Sequence, residues 1–193
     1  MVKSPPAELA RRLVDASEEI LRPGHDLRLE DIAALVGSAR ATLYYYFSGR
    51  DDLIAFLLDR HVAAAAAGIV AAARADQPAR TRLRQAVAAL AAFLGEKPGV
   101  CAGLLTFAGT SGRLGSVMAA KDTALAAPVQ EILADGARSG DLLVSDPADA
   151  ANAILGAIMI ATLARWDRGA DSRSPAFQQA LADQAIRGVL PPG

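Results

Sequence analysis

Apolar positions recur every three or four residues along most of the chain, a spacing that predicts helix after helix. Leu9, Leu13, Ala16 and Ile20 mark a first helix from about Ala7 to Leu21, ended by Pro23 and Gly24. Leu29, Ile32, Ala33 and Val36 mark a second, and Leu43 and Phe47 the core side of a short third. A long helix from Asp51 to about Ala73 carries Leu53, Phe56, Leu57 and His61 on one side. Asp76-Gln77-Pro78 is a break; Leu83, Val87, Leu90 and Leu94 then mark the next helix, and Lys97-Pro98-Gly99 stops it. Val100 to Thr110 reads as a short uncharged helix, Gly109 to Gly115 as a flexible turn, and Ser116 to Ser139 as a helix kinked at Pro128. Asp146 and Pro147 suit the cap and first position of another helix. A last helix spans Ser174 to Gly188, with Phe177, Leu181, Gln184 and Ala185 on one side.

The pattern predicts an all-α protein of about nine helices, and alanine-rich composition with few β-branched runs agrees. The long helix from Asp51 packs its start on the first three helices and its end elsewhere. A domain boundary therefore falls inside it, giving domains 1–60 and 61–193.

Leu27 to Leu53 holds the densest chemistry. Gly37 can end a helix in the left-handed conformation. With Ser38 and Ala39 it makes a turn of the length that joins a helix-turn-helix. The short helix that follows packs Arg40, Thr42, Tyr44, Tyr45 and Tyr46 into two turns. Adjacent helical positions face about 100° apart, so the three tyrosines cannot all point inward. The functional reading is a helix that enters the major groove of double-stranded DNA, Arg40 on base edges or phosphate and Thr42 and the tyrosine hydroxyls on phosphate. The alternative is a three-helix subdomain whose aromatics are only core.

Ile32-Ala33, Gly37, Thr42-Leu43-Tyr44, Tyr46-Phe47 and Leu53 resemble the amino-terminal signature of the tetracycline-repressor-like (TetR) family of bacterial transcription regulators. The resemblance runs from about Arg12 to Arg60. It implies an amino-terminal helix-turn-helix DNA-binding domain and a carboxy-terminal helical domain for ligand binding and dimerisation. It places Arg28, Arg40, Ala41, Thr42, Tyr44, Tyr45, Tyr46 and Arg50 at the DNA. Arg28 stands where the family usually has Thr or Ser, Ser38-Ala39 where it often has Val-Ser, and Arg50 where it usually has Lys.

Charge narrows the picture. The net charge is −1, and residues 1–60 carry eight cationic and ten anionic side chains, a net of −2. That disfavours sequence-blind nucleic-acid binding, which needs a broad basic surface. Specific binding survives if the cations sit at the DNA-facing edge, as Arg28, Arg40 and Arg50 would at helix starts. Affinity per copy is then modest, and two copies are needed.

Ala150 to Ala164 carry no charge, a run too short for a membrane span of about 20 residues. A helix apolar all round is buried all round. One protomer covers one face, and a partner covers the other. Ala153, Gly156, Ala157 and Ala161 are small enough for close approach, so the last two helices would pair with their copies in a four-helix interface. The alternative is that they only complete a monomer core.

Phe93, Cys101, Leu104, Phe107, Met118, Met159 and Trp166 either line a pocket for a greasy small-molecule effector or are ordinary core. The resemblance favours the pocket, and few charges are available to line it. The reading is a repressor released from its operator by a small apolar molecule. The single Cys101 excludes an internal disulfide and, with no leader-like start, fits the cytoplasm. His25 has no second ligand near it, so no metal and no cofactor is expected. The sequence contains no G-x-S-x-G, phosphate loop, H-E-x-x-H or cysteine pair, so no enzyme is expected. A helical binding protein or adaptor without DNA affinity is the remaining alternative.

Overall fold

A computed structural model of the chain describes residues 4–22, 24–110 and 114–191. The fold is all-α, with no strand among the described residues. In order the helices are α1 (Ala7–Asp15), α2 (Ser17–Ile20), α3 (Leu29–Leu35), α4 (Arg40–Tyr46), α5 (Arg50–Ala73) and α6 (Ala79–Glu96). Then come α7 (Pro98–Thr110), α8 (Leu114–Lys121), α9 (Ala127–Ser139), α10 (Pro147–Asp167) and α11 (Pro175–Ile186), and a 3₁₀ turn, Arg187–Val189.

Two helices expected whole are in two pieces. The first breaks at Ala16, where the Ser17 hydroxyl donates to the Val14 carbonyl at 2.7 Å and so competes with the helix ladder. The other is interrupted between α8 and α9 by a π-helical stretch, Asp122–Ala126. Pro128 follows it at the start of α9. The break in the regular ladder thus falls directly before the proline, which sits in the first turn of α9. Helix α7 starts at Pro98, which takes the first turn of a new helix instead of only ending the old one. Residues 111–113 of the expected flexible turn, and Pro23, lie outside the described residues.

The chain divides into two compact units, Met1–His61 with Gly99–Val117, and Val62–Pro98 with Met118–Gly193. The division falls within α5. The stretch Gly99–Val117, expected with the carboxy-terminal part, groups with the first unit.

The first unit is built on fully buried Leu13, Ile20, Ile32, Leu43, Leu53 and Leu57. Burying one such side chain is worth about 2 kcal/mol. A second small core joins Leu21, Ile54 and Leu58 to Val100 and Phe107 of α7. The approach needs glycine: a Cβ on Gly103 would lie 2.9 Å from the Leu21 Cβ. The Glu18 carboxylate accepts the Gly99 N–H at 3.0 Å at the start of α7. Buried His61 bonds the Ser17 hydroxyl at 2.7 Å. The Ser17 proton is committed to Val14, so His61 Nε2 is the donor.

In the second unit α6 is packed on by α9, α10 and α11. Arg82, its side chain 13% exposed, donates to the Ala73 carbonyl and to Asp135, both at 3.0 Å, and so ties the end of α5 to α9. Helix α10 opens as its sequence requires: the Asp146 carboxylate accepts the N–H groups of Ala148 at 2.7 Å and Asp149 at 3.1 Å. It runs 21 residues, longer than its uncharged stretch. By length and composition alone, α5 and α10 are long and apolar enough to cross a membrane.

Candidate nucleic-acid interface

Helix α3 ends where Gly37 adopts φ +60°. The Gly37 N–H returns to Ala34 at 3.2 Å and the Ser38 N–H to Ala33 at 2.9 Å, the two crossed bonds of a glycine-terminated helix. Arg12 of α1 donates to the carbonyls of Val36 at 2.7 Å and Gly37 at 2.9 Å. The turn is thus held from outside as well as within. It delivers the chain to α4, which buries only Leu43.

The rest of α4 is presented outward. Tyr44 is 45% and Tyr45 59% exposed, and Ala41 and Arg40 are exposed too. Thr42 is half-buried. Tyr46 is half-buried against the core, and its ring meets that of Tyr45 edge-on at 4.9 Å. One tyrosine therefore anchors the helix while two face solvent.

The three candidate arginines are each engaged. Arg40 pairs with Glu30 of α3 at 2.9 Å, and its guanidinium lies 5.3 Å from the Tyr44 ring centroid. The Tyr44 hydroxyl donates to the same Glu30 oxygen at 3.2 Å. The Glu30 carboxyl is held below the usual range, first by its own backbone N–H, then by Tyr44 and by the nearby Arg40 and Arg28 cations. Arg28 occupies the cap position of α3. Its N–H is accepted by Asp31 at 2.9 Å, while its exposed side chain lies 3.6 Å from that carboxylate. Arg50 is the most enclosed. It donates to the Leu27 carbonyl at 3.0 Å and lies 3.6 Å from Asp26, so it fastens the loop before α3. Glu30 and Arg12 are missed by sequence reasoning, because the separations from Arg40, Tyr44 and Val36 match no helical period.

The candidate effector residues are scattered. Cys101 and Phe107 are buried in the first unit; Phe107 fills the small core with Leu21 and Ile54. Phe93, Met159 and Trp166 are half-buried in the second. The side chains of Leu104 and Met118 lie outside the described residues. Burial pushes the Cys101 thiol up to about 12, so it is protonated at neutral pH. Among the described residues no group of three or more His, Cys, Asp or Glu could hold a metal ion.

Two concavities lie within the second unit. One, of about 760 Å³, is a cleft of mixed polarity that includes Arg82, Asp135, Arg138 and Asp141. The other, of about 560 Å³, is a mainly apolar groove between α10 and α11, where Ala153, Ala157, Ala161, Leu181 and Ala185 face one another. Beside it Ala153 and Ala157 are exposed and Ile160 is 56% exposed.

A glycine-turned helix pair that holds out an arginine- and tyrosine-bearing helix is that of a helix-turn-helix DNA-binding protein. Residues 14–56 match the family described as bacterial regulatory proteins, tetR family. The match covers the helix-turn-helix and its flanks, and it is to the DNA-binding segment of a family of transcription regulators. No curated protein matches the chain in sequence. Solved structures share its fold at low identity. A putative fatty acid metabolism regulator from Clostridium perfringens superposes with a TM-score of 0.80 at 14% identity, over 94% of this chain and 100% of that one. The transcriptional regulator FadR from Bacillus subtilis, solved in complex with stearoyl-CoA, gives 0.74 at 18%, over 92% and 98%. The TetR-family regulator PfmR from Thermus thermophilus gives 0.65 at 22%, over the whole of both chains.

Proposed function

We propose that the chain is a homodimeric repressor that binds an operator through two copies of α4 and leaves it when a small apolar molecule binds the carboxy-terminal part. The observation that carries this reading is the outward face of α4: Arg40, Tyr44 and Tyr45 stand exposed on a helix whose turn and core are rigidly held. Arg40, Ala41, Thr42, Tyr44 and Tyr45 meet the groove, Tyr46 holds the helix to its core, and Arg28 meets the flanking phosphate. Arg50 positions the loop before α3.

The dimer reading rests on α10 and α11. An exposed strip of Ala153, Ala157 and Ile160 beside an apolar groove leaves surface that a second copy would bury. Small side chains let the helices approach closely. Two reader helices about 34 Å apart then meet successive major grooves. An effector that prefers a body shape with another separation lowers operator affinity by as much as its affinities for the two shapes differ.

Phe93, Met159 and Trp166, half-buried in the second unit, are the first candidates to touch the effector. Two fold neighbours, one named for fatty acid metabolism and one solved with stearoyl-CoA, make long-chain acyl compounds the first probes. The protein works in the cytoplasm, away from the membrane, and without enzymatic activity or cofactor. The test is a titration of DNA from the promoter region next to its own gene, with and without fatty acids and acyl-CoA thioesters. Operator release by one of them supports the reading. A probe that binds tightly but leaves operator affinity unchanged contradicts its role as the releasing effector.

A further inference from the structure

Described arginines between residues 4 and 60 spend their charge inside the protein. Arg11, Arg12, Arg22, Arg28, Arg40 and Arg50 each lie within ion-pair distance of a carboxylate. Arg60 lies 5.2 Å over the Phe56 ring. Most of these pairs staple one element or a loop. One differs: Glu30 reaches from α3 to α4 and takes two groups of the reader at a single oxygen, Arg40 at 2.9 Å and the Tyr44 hydroxyl at 3.2 Å. An anionic oxygen that accepts from a guanidinium and a phenol is what a DNA phosphate would offer the same two donors.

We propose that Glu30 is a built-in stand-in for phosphate, so that docking of α4 is an exchange in which a DNA phosphate oxygen displaces the Glu30 carboxylate from Arg40 and Tyr44. This rests on α4 being the reader helix. Glu30 acts through its neighbours and is a positioning residue. In the free protein it holds Arg40 against the Tyr44 ring in one arrangement. On DNA its charge must be left beside the backbone, which lowers affinity. The balance suits a reader domain of net charge −2. Loose electrostatic capture is suppressed, and binding needs a duplex that supplies both Arg40 and Tyr44 with acceptors. The depressed Glu30 carboxyl keeps the competing anion in place at every pH at which the protein would meet DNA.

The experiment is a double-mutant cycle on the full chain, read by DNA affinity across a salt series. The ligands are the promoter fragment and a scrambled duplex of equal length. Glu30→Gln is expected to tighten binding about fivefold and to steepen the slope of log affinity against log salt by about one, because the displaced wild-type carboxylate takes back a cation and the amide does not. In an Arg40→Ala background the gain should shrink, because only the Tyr44 hydroxyl is left for it to free. An equal gain in both backgrounds would mean plain charge repulsion and overturn the exchange. No gain in either, with circular dichroism unchanged, would do the same. If Arg40→Ala and Tyr44→Phe each bind the promoter fragment as the wild type does, the reader assignment itself is wrong, a different failure from that of the exchange.

Discussion

Helices α4 and α10 both leave much of themselves uncovered, and they do so in opposite ways. Helix α4 has seven residues and exposes Arg40, Tyr44 and Tyr45, side chains with hydrogen-bonding ends. Helix α10 has 21 and, between polar Asp149 and Asn152 near its start and Asp167 at its end, exposes Ala153, Ala157 and Ile160, side chains with none. Water solvates the first face at little cost. The second keeps apolar area in water at about 25 cal/mol per Å². One surface suits a hydrated, charged polymer that must be released again. The other suits a lasting contact that excludes water.

The sharpest way to break this contrast is to put a charge on α10. Ala157→Arg should convert a dimer to a monomer by sedimentation and weaken operator binding at least a hundredfold, because the second reader is no longer held near the first. A variant that stays dimeric would show that this face does not pair. Next in size is the core behind the reader. Leu43 is fully buried, and Leu43→Ala should cost about 3 kcal/mol in chemical denaturation. The same truncation at exposed Tyr45 should cost under about 0.5 kcal/mol of stability and yet weaken operator binding. Equal stability losses at the two positions would mean that Tyr45 is core, and the contrast would fail. Asp146→Ala removes the acceptor of two N–H groups at the start of α10 and should cost about 1 kcal/mol. The smallest effect is at Cys101. Buried and pushed up to about 12, it should resist thiol reagents in the native protein and react only on unfolding.

What the sequence makes legible is local. Gly37 and the apolar spacing before it announce the turn, and the structure puts Gly37 at positive φ. Asp146 and Pro147 announce the start of α10 in the same way. Contacts between residues far apart in sequence leave no periodic trace. Ser17 breaks the first helix by bonding Val14, and its other partner, His61, is 44 residues away. Gly99 meets Glu18 across 81 residues and carries α7 to the first unit. Pro128 announces a disturbance in its helix, but not that it takes the form of a π-helical stretch from Asp122 to Ala126. At the candidate interface the sequence offers Arg28, Arg40 and Arg50 as equivalent cations. Their partners separate them: Arg28 stays outermost, Arg40 is held by an anion on the next helix, and Arg50 is spent on a loop.

The most direct test of the central claim is a hydroxyl-radical footprint of the protein on the promoter region next to its own gene. Two copies of α4 in successive major grooves predict two protected patches about 34 Å apart along the duplex, both lost with Arg40→Ala. A single patch, or the same footprint from the Arg40→Ala variant, would contradict it.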